Sequence, residues 1–170
     1  MVNLYFIKKR GTNTLLNKNF ILKNTHHMIA LGFGTGLYKK APGTLGTLVA
    51  IPFFLAINKA DIYLQLLFAV MVFFLGIWSS NVTSKSLKLK DPSCIVIDEI
   101  AAFLLLLILI SPNLYQLIYA FILFRIFDIW KPYPILWLEK KYSGGFGIMI
   151  DDIAAALMAL IIYLITDYVR

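Results

Sequence analysis

GGFGIMIDDIAAALMALIIYLI, residues 144–165, is apolar and long enough to cross a bilayer, yet it carries two adjacent acids, Asp151 and Asp152, near its start. A carboxylate at the bilayer centre costs ~2.5–3.5 kcal/mol or more. The pair therefore needs a partner, a function or a place near the water. Which of these it has decides how the rest of the chain is arranged.

Composition makes a membrane setting the expectation. Of 170 residues, 60% are hydrophobic and only 15% charged, with a mean hydropathy of +0.79. A soluble domain of this size cannot bury so much apolar surface. Apolar segments fall at about 44–58, 62–80, 92–110, 113–130 and 147–167. The expected fold is all-α, a membrane-embedded bundle of about four to five apolar helices, the last four approaching the ~20 residues a spanning helix needs. Asp91–Pro92 and Ser111–Pro112 look like helix starts. Pro132 should stop the fourth helix near Trp130, and the glycines of SGGFG should break the chain before the fifth. Trp78, Trp130 and Trp137, near helix ends, read as interface anchors.

Residues 1–24 form an expected basic arm on the membrane surface, and 25–170 a single helical domain. Lys8, Lys9 and Arg10 precede polar GTNTLLNKNF where a signal peptide would have its apolar core. The single cysteine, Cys94, excludes a disulfide framework and a cysteine-based zinc site. It is also no Cys-x5-Arg nucleophile, because Ile100 stands six positions on.

Five crossings would alternate in direction, which puts the start of helices one, three and five and the end of helices two and four on one side. Of the 16 basic residues, 13 fall in segments on that side. The positive-inside rule makes it cytoplasmic. Asp98 and Glu99 would lie six or seven residues into helix three, ~9–10 Å at 1.5 Å per residue. Asp151 and Asp152 would lie about one turn into helix five. Asp128 is near the end of helix four, with Arg125 on its face at i,i−3. The acid pair thus belongs to a polar cluster at the cytoplasmic mouth of a bundle.

Five carboxylates this close would repel one another, and a hard divalent cation is the economical remedy. Mg2+ takes carboxylate, water and phosphate oxygens. Adjacent acids on a helix diverge by ~100°, so one of a pair faces the metal and its neighbour is left for a second ion, a water or a base. Arg125 and Lys131 suit an anionic substrate. GFGTGLYKKAPGTLGT, residues 32–47, can offer backbone N–H groups to phosphate, or its glycines can serve close packing. These parts suggest metal-assisted hydrolysis of a phosphate ester. A cation transporter is the rival from another class, but transporters place their sites near the midplane between repeats, and no repeat is visible. Asp61, Asp91, Glu139 and Asp167 read as solvated or capping residues. No nucleic-acid partner is expected, and the sequence leaves the oligomeric state open.

HMIALGFGTGLYKKAPGTLGT, DPSCIVIDEI, FRIFDIWKPYPI and GGFGIMIDDIAAAL stand in this order between about Thr25 and Thr166. In these motifs the chain resembles the phosphatidylglycerophosphatase A family. The resemblance implies a Mg2+-dependent, multi-pass enzyme of the bacterial cytoplasmic membrane, its active site facing the cytoplasm, that removes the terminal phosphate of phosphatidylglycerophosphate in phosphatidylglycerol and cardiolipin synthesis. It implies catalytic or metal-binding roles for Asp98, Glu99, Asp128, Asp151 and Asp152. It implies phosphate binding by Pro42, Gly43, Thr44, Gly46, Arg125 and Lys131. His27 falls where the family often has a histidine. Thr47 stands in place of a more usual Ser, and Ala101–Ala102 where a Gly is common.

Overall fold

Residues 97–110 become the buried axis of the molecule. The computed structural model describes residues 5–9, 12–16 and 24–168. After α1 (Thr25–Ala30) and a 3-10 turn (Gly32–Leu37) come α2 (Pro42–Ile57), α3 (Ile62–Leu87), α4 (Ile97–Ile110), α5 (Leu114–Trp130), α6 (Ile135–Lys141) and α7 (Gly144–Tyr168). Among the described residues the only β structure is an antiparallel hairpin, β1 (Tyr5–Lys9) with β2 (Thr12–Leu16), paired from Tyr5↔Leu16 to Lys9↔Thr12. The rest of the expected arm, and its place on a membrane, lie outside the described residues.

α4 is apolar nearly all round, and it packs against α2, α3 and α7. Ile100, Phe103, Leu104, Leu106, Leu107 and Ile108 are buried, as are Ala101 and Ala102. Phe103 meets Phe124 and Phe121 of α5 at ring-centroid distances of 5.5 and 5.8 Å. Small residues let α7 approach its neighbours: Gly145, Ala155, Ala156 and Ala159 are all buried. Close backbone approach through small residues is how helices associate where apolar burial alone gives no preference for a partner.

Several helix limits differ from expectation. α4 starts at Ile97, not near Asp91, because residues 91–96 are tied into a turn, with Ile95 N–H bonded to Pro92 O and Val96 N–H to Ala30 O. Ser111 ends α4 rather than starting α5. The cap of α5 is Asn113, whose side chain and that of Gln116 bond reciprocally to each other's backbone N–H at 3.0 and 2.9 Å. α3 runs seven residues past the expected 80, because its polar end is buried: Thr83 and Ser84 are covered, and Thr83 Oγ1 lies 2.9 Å from His27 Nδ1. α6 is a short helix where only a loop was expected.

The largest correction concerns SGGFG. The glycines do not break the chain but open α7, because a Cβ on Gly145 would stand 1.9 Å from the carbonyl oxygen of Ile77. Asp151 and Asp152 therefore sit two turns into α7, not one.

Two helices, Ile62–Leu87 and Gly144–Tyr168, are long and apolar enough to cross a membrane. The expectation of four near-spanning helices is too generous. α4 has 14 residues, ~21 Å at 1.5 Å each against a ~30 Å hydrocarbon layer, and it is core rather than lipid-facing. The outer surfaces of the others are strongly apolar. Leu67, Val70, Met71 and Phe74 of α3 and Leu114, Ile118, Ile122 and Ile126 of α5 are exposed, more than a water-soluble monomer leaves uncovered.

Candidate metal and phosphate site

Four helices meet at one end of the bundle. Because α4 begins at Ile97, Asp98 and Glu99 occupy its first turn, where the positive end of the helix dipole favours acids. α7 brings Asp152 to the same place: one carboxylate oxygen from each of Asp98, Glu99 and Asp152 lies within 4.8 Å of the other two. Asp98 Oδ1, Glu99 Oε2 and Asp152 Oδ2 are buried and meet no hydrogen-bond donor among the described residues. Two unit charges 4 Å apart repel by ~4 kcal/mol even at an effective dielectric of 20, so such a cluster needs a positive partner. An all-oxygen, anionic donor set suits Mg2+, Ca2+ or Mn2+. The residues fit a divalent ion.

Arg125 of α5 ties this cluster to α2. Its Nη1 donates to the carboxylate of Asp128, one turn further on, and stands 3.9 Å from Glu99 Oε1. The same Nη1 donates to Thr47 Oγ1 at 3.4 Å, and that hydroxyl donates to Gly43 O at 2.9 Å. At Gly43 the helix touches the acids: a Cβ there would lie 2.1 Å from Glu99 Oε1 and 3.2 Å from Arg125 Nη1. Pro42 opens α2 and no side chain caps that end. Pro42 has no N–H and Leu45 N–H bonds to Ala41 O, which leaves the N–H groups of Gly43 and Thr44 without an intrahelical acceptor, beside a guanidinium, as an anion site requires.

Asp151 turns away from the cluster, as the ~100° step between helical neighbours dictates. Its Oδ2 accepts from Lys131 Nζ at 2.6 Å, and Nζ also lies 3.4 Å from Glu139 Oε2. Pro132 bars α5 from continuing, and Lys131 takes a left-handed conformation with φ +45°. Burial alone would lower the Lys131 pKa, but the hydrogen bond and charge of Asp151 outweigh it and hold it above the usual value. Lys131 is a fixed cation.

Comparison with known proteins agrees with this arrangement. The family model for phosphatidylglycerophosphatase A matches residues 28–167. The chain belongs to this family. It is 38% identical over 139 residues to phosphatidylglycerophosphatase A of Escherichia coli, covering 81% of each chain. It is 37% identical over 153 residues to that of Haemophilus influenzae, covering 89% of this chain and 94% of the relative. A Bacteroides thetaiotaomicron relative, 35% identical over 150 residues (84% of this chain, 93% of the relative), has a name that proposes a phosphatidylinositol-3-phosphatase. No solved structure matches.

Set against the family's motifs, the structure brings together Asp98, Glu99, Asp152, Arg125, Asp128 and Gly43, and beside them Lys131 with Asp151. It does not bring Gly46 to the acids: a Cβ there would meet Val96 Cβ at 2.7 Å, so this glycine serves the packing of α2 on the strand of chain leading into α4. His27 is buried, and burial, then the charge of His26, pull its pKa down to about 4. Its neutral ring joins α1 to Thr83 of α3. Sequence reasoning missed Thr47 as the link between Gly43 and Arg125, and Glu139 as the second partner of Lys131. Thr47 meets Arg125 from a distant part of the chain, and Glu139 reaches Lys131 across the loop before α6, so no helical spacing announces either contact.

Proposed function

We propose that this chain is a membrane-embedded, Mg2+-dependent phosphatase that hydrolyses the terminal phosphomonoester of phosphatidylglycerophosphate, releasing phosphatidylglycerol and inorganic phosphate. The observation that carries this reading is the meeting of three carboxylates, each with one buried oxygen that meets no donor among the described residues, with Arg125 and the uncapped start of α2. Asp98, Glu99 and Asp152 would hold the Mg2+, which polarises a phosphoryl oxygen and acidifies water when bound. Arg125 and the N–H groups of Gly43 and Thr44 bind the phosphate oxygens and are aimed where charge develops. Asp128 and Thr47 fix the guanidinium. Lys131 pairs with Asp151 beside the cluster. A carboxylate of the set takes a proton from the attacking water as its oxygen bonds to phosphorus. The phosphorus–oxygen bond to the lipid breaks, and the leaving alkoxide takes that proton from the carboxylate and departs as an alcohol.

The lipid's acyl chains would lie against the apolar outer faces of the helices, with the site near the surface. Lys39, Lys40, Lys85, Lys88, Lys90, Lys131, Lys140 and Lys141 flank the end of the bundle that carries the acids, which supports a cytoplasmic-facing site. The test is phosphate release from phosphatidylglycerophosphate in mixed micelles. EDTA should abolish it and Mg2+ restore it, and Asp98→Asn or Asp152→Asn should lower the rate at least ~10²-fold. Near-normal turnover in both variants would remove these residues from the mechanism.

A further inference from the structure

Phosphate binding leaves the GFGTG stretch unexplained, because the N–H groups beside the acids come from Gly43 and Thr44. Its backbone is unusual at one residue. Among the described residues, four that are not glycine have positive φ: Phe33 at +56°, Lys88, Ser111 and Lys131. The last three each end a helix, where the left-handed conformation is customary. Phe33 ends none. It stands inside the turn Gly32–Leu37, and for a bulky side chain that conformation is costly. The residue is 58% exposed, so packing in the core offsets little of the cost.

The turn itself is clamped. A Cβ on Gly36 would stand 1.9 Å from Cys94 O, and one on Gly32 would stand 2.7 Å from Val96 Cγ2 and 2.9 Å from Ile100 Cδ1. Val96 and Ile100 bracket Asp98 and Glu99 in the chain, so the turn is seated on the stretch that carries the acids. With both glycines held inward, Phe33 is carried on the outside. Its ring lies 6.1 Å from that of Phe53 in α2, which lies 6.3 Å from that of Phe68 in α3. Phe53 and Phe68 are half-buried. The three rings make a row that leaves the turn, crosses α2 and reaches a helix long enough to span a membrane. The helix that it crosses is the one whose first turn offers its N–H groups to phosphate.

We infer that Phe33, Phe53 and Phe68 form the subsite for an acyl chain of the lipid substrate, with Phe33 leading that chain from the headgroup site into the bilayer. The inference rests on the lipid-phosphatase reading and deepens it. In a bilayer an acyl chain gains nothing from apolar contact as such, since its lipid neighbours are equally apolar. Rings held in place on a clamped turn and two helices contribute orientation instead. They keep the chain on one line, and with it the phosphate that must meet Gly43 and Arg125. A phenylalanine fixed in a costly conformation suits that task.

Two measurements on the full chain in mixed micelles test this. Phe33→Gly removes the ring and suits a positive φ, so the melting temperature should hold or rise. Its kcat/KM on phosphatidylglycerophosphate should still fall about tenfold, well inside what a misplaced substrate costs, and Phe33→Leu should recover most of the loss. In the second, phosphatidylglycerophosphate with a diazirine on one acyl chain is photolysed on the wild type, with EDTA present to stop turnover. It should label the turn and Phe53 in preference to the outer faces of α3 and α5, whereas phosphatidylglycerol bearing the same chain should show no such preference. Identical labelling by the two lipids overturns the subsite while the phosphatase reading stands. So does a Phe33→Gly variant as active as the wild type, or one whose loss comes with a lower melting temperature, which is what a structural role produces. A wild type that releases no phosphate overturns both.

Discussion

Gly43 is the residue at which the glycine-rich loop and the acids touch. Its missing side chain leaves room for Glu99 Oε1, which a Cβ would approach to 2.1 Å. That atom is the end of a side chain that must not move if it is to hold an ion. Gly43→Ala should therefore leave helix content intact, since Ala suits a first turn, yet cut phosphate release by ~10²-fold, as loss of a precisely placed group does. Activity within twofold of the wild type would show that Glu99 can shift without consequence. The acids themselves were legible in the sequence, because ionised residues inside apolar runs are expensive and conspicuous. Which acids face the ion was not: Asp98 and Glu99 both stand in the cluster, where one of each adjacent pair was expected. Asp152 joins Asp98 and Glu99 while Asp151 pairs with Lys131, and only the rotational setting of α7 decides that.

At the scale of elements, the packing of α7 on α3 sets where Asp151 and Asp152 come to rest. Gly145 lies against backbone, with its would-be Cβ 1.9 Å from Ile77 O and 2.9 Å from Asn81 N, so nothing flexible can give way. Gly145→Ala should lower stability by about 1–3 kcal/mol, the usual cost of overpacking, seen as a lower melting temperature in detergent, and should reduce activity as α7 is pushed off. An unchanged melt would mean the two helices are not held this closely. The same glycines were misread in sequence as a chain break, because Gly signals a turn and a close contact alike. The two proline signals also misled, since Pro92 and Pro112 sit in the turns before α4 and α5 rather than in their first turns. The existence of the long helices was plain from hydropathy. α6, seven residues long, carries no periodic signal strong enough to find.

At the scale of the whole molecule, function depends on polarity along the bundle: acids and most lysines at one end, apolar flanks between, few charges at the other. Lys59 follows α2 at the opposite end. In intact cells, Lys59→Cys in a chain also carrying Cys94→Ser should react with a membrane-impermeant thiol reagent added outside, while Lys40→Cys and Lys140→Cys should not. The reverse pattern would invert the orientation. The central claim, though, is that Asp98, Glu99 and Asp152 form one ion site, and direct metal binding tests it best. Mn2+, visible by electron paramagnetic resonance, is titrated into the purified full chain in mixed micelles. Asp98→Asn, Glu99→Gln and Asp152→Asn should each weaken binding at least ~10-fold, whereas Asp167→Asn, at the far end of α7, should not. Mn2+ affinity unchanged in all three cluster variants would contradict the account.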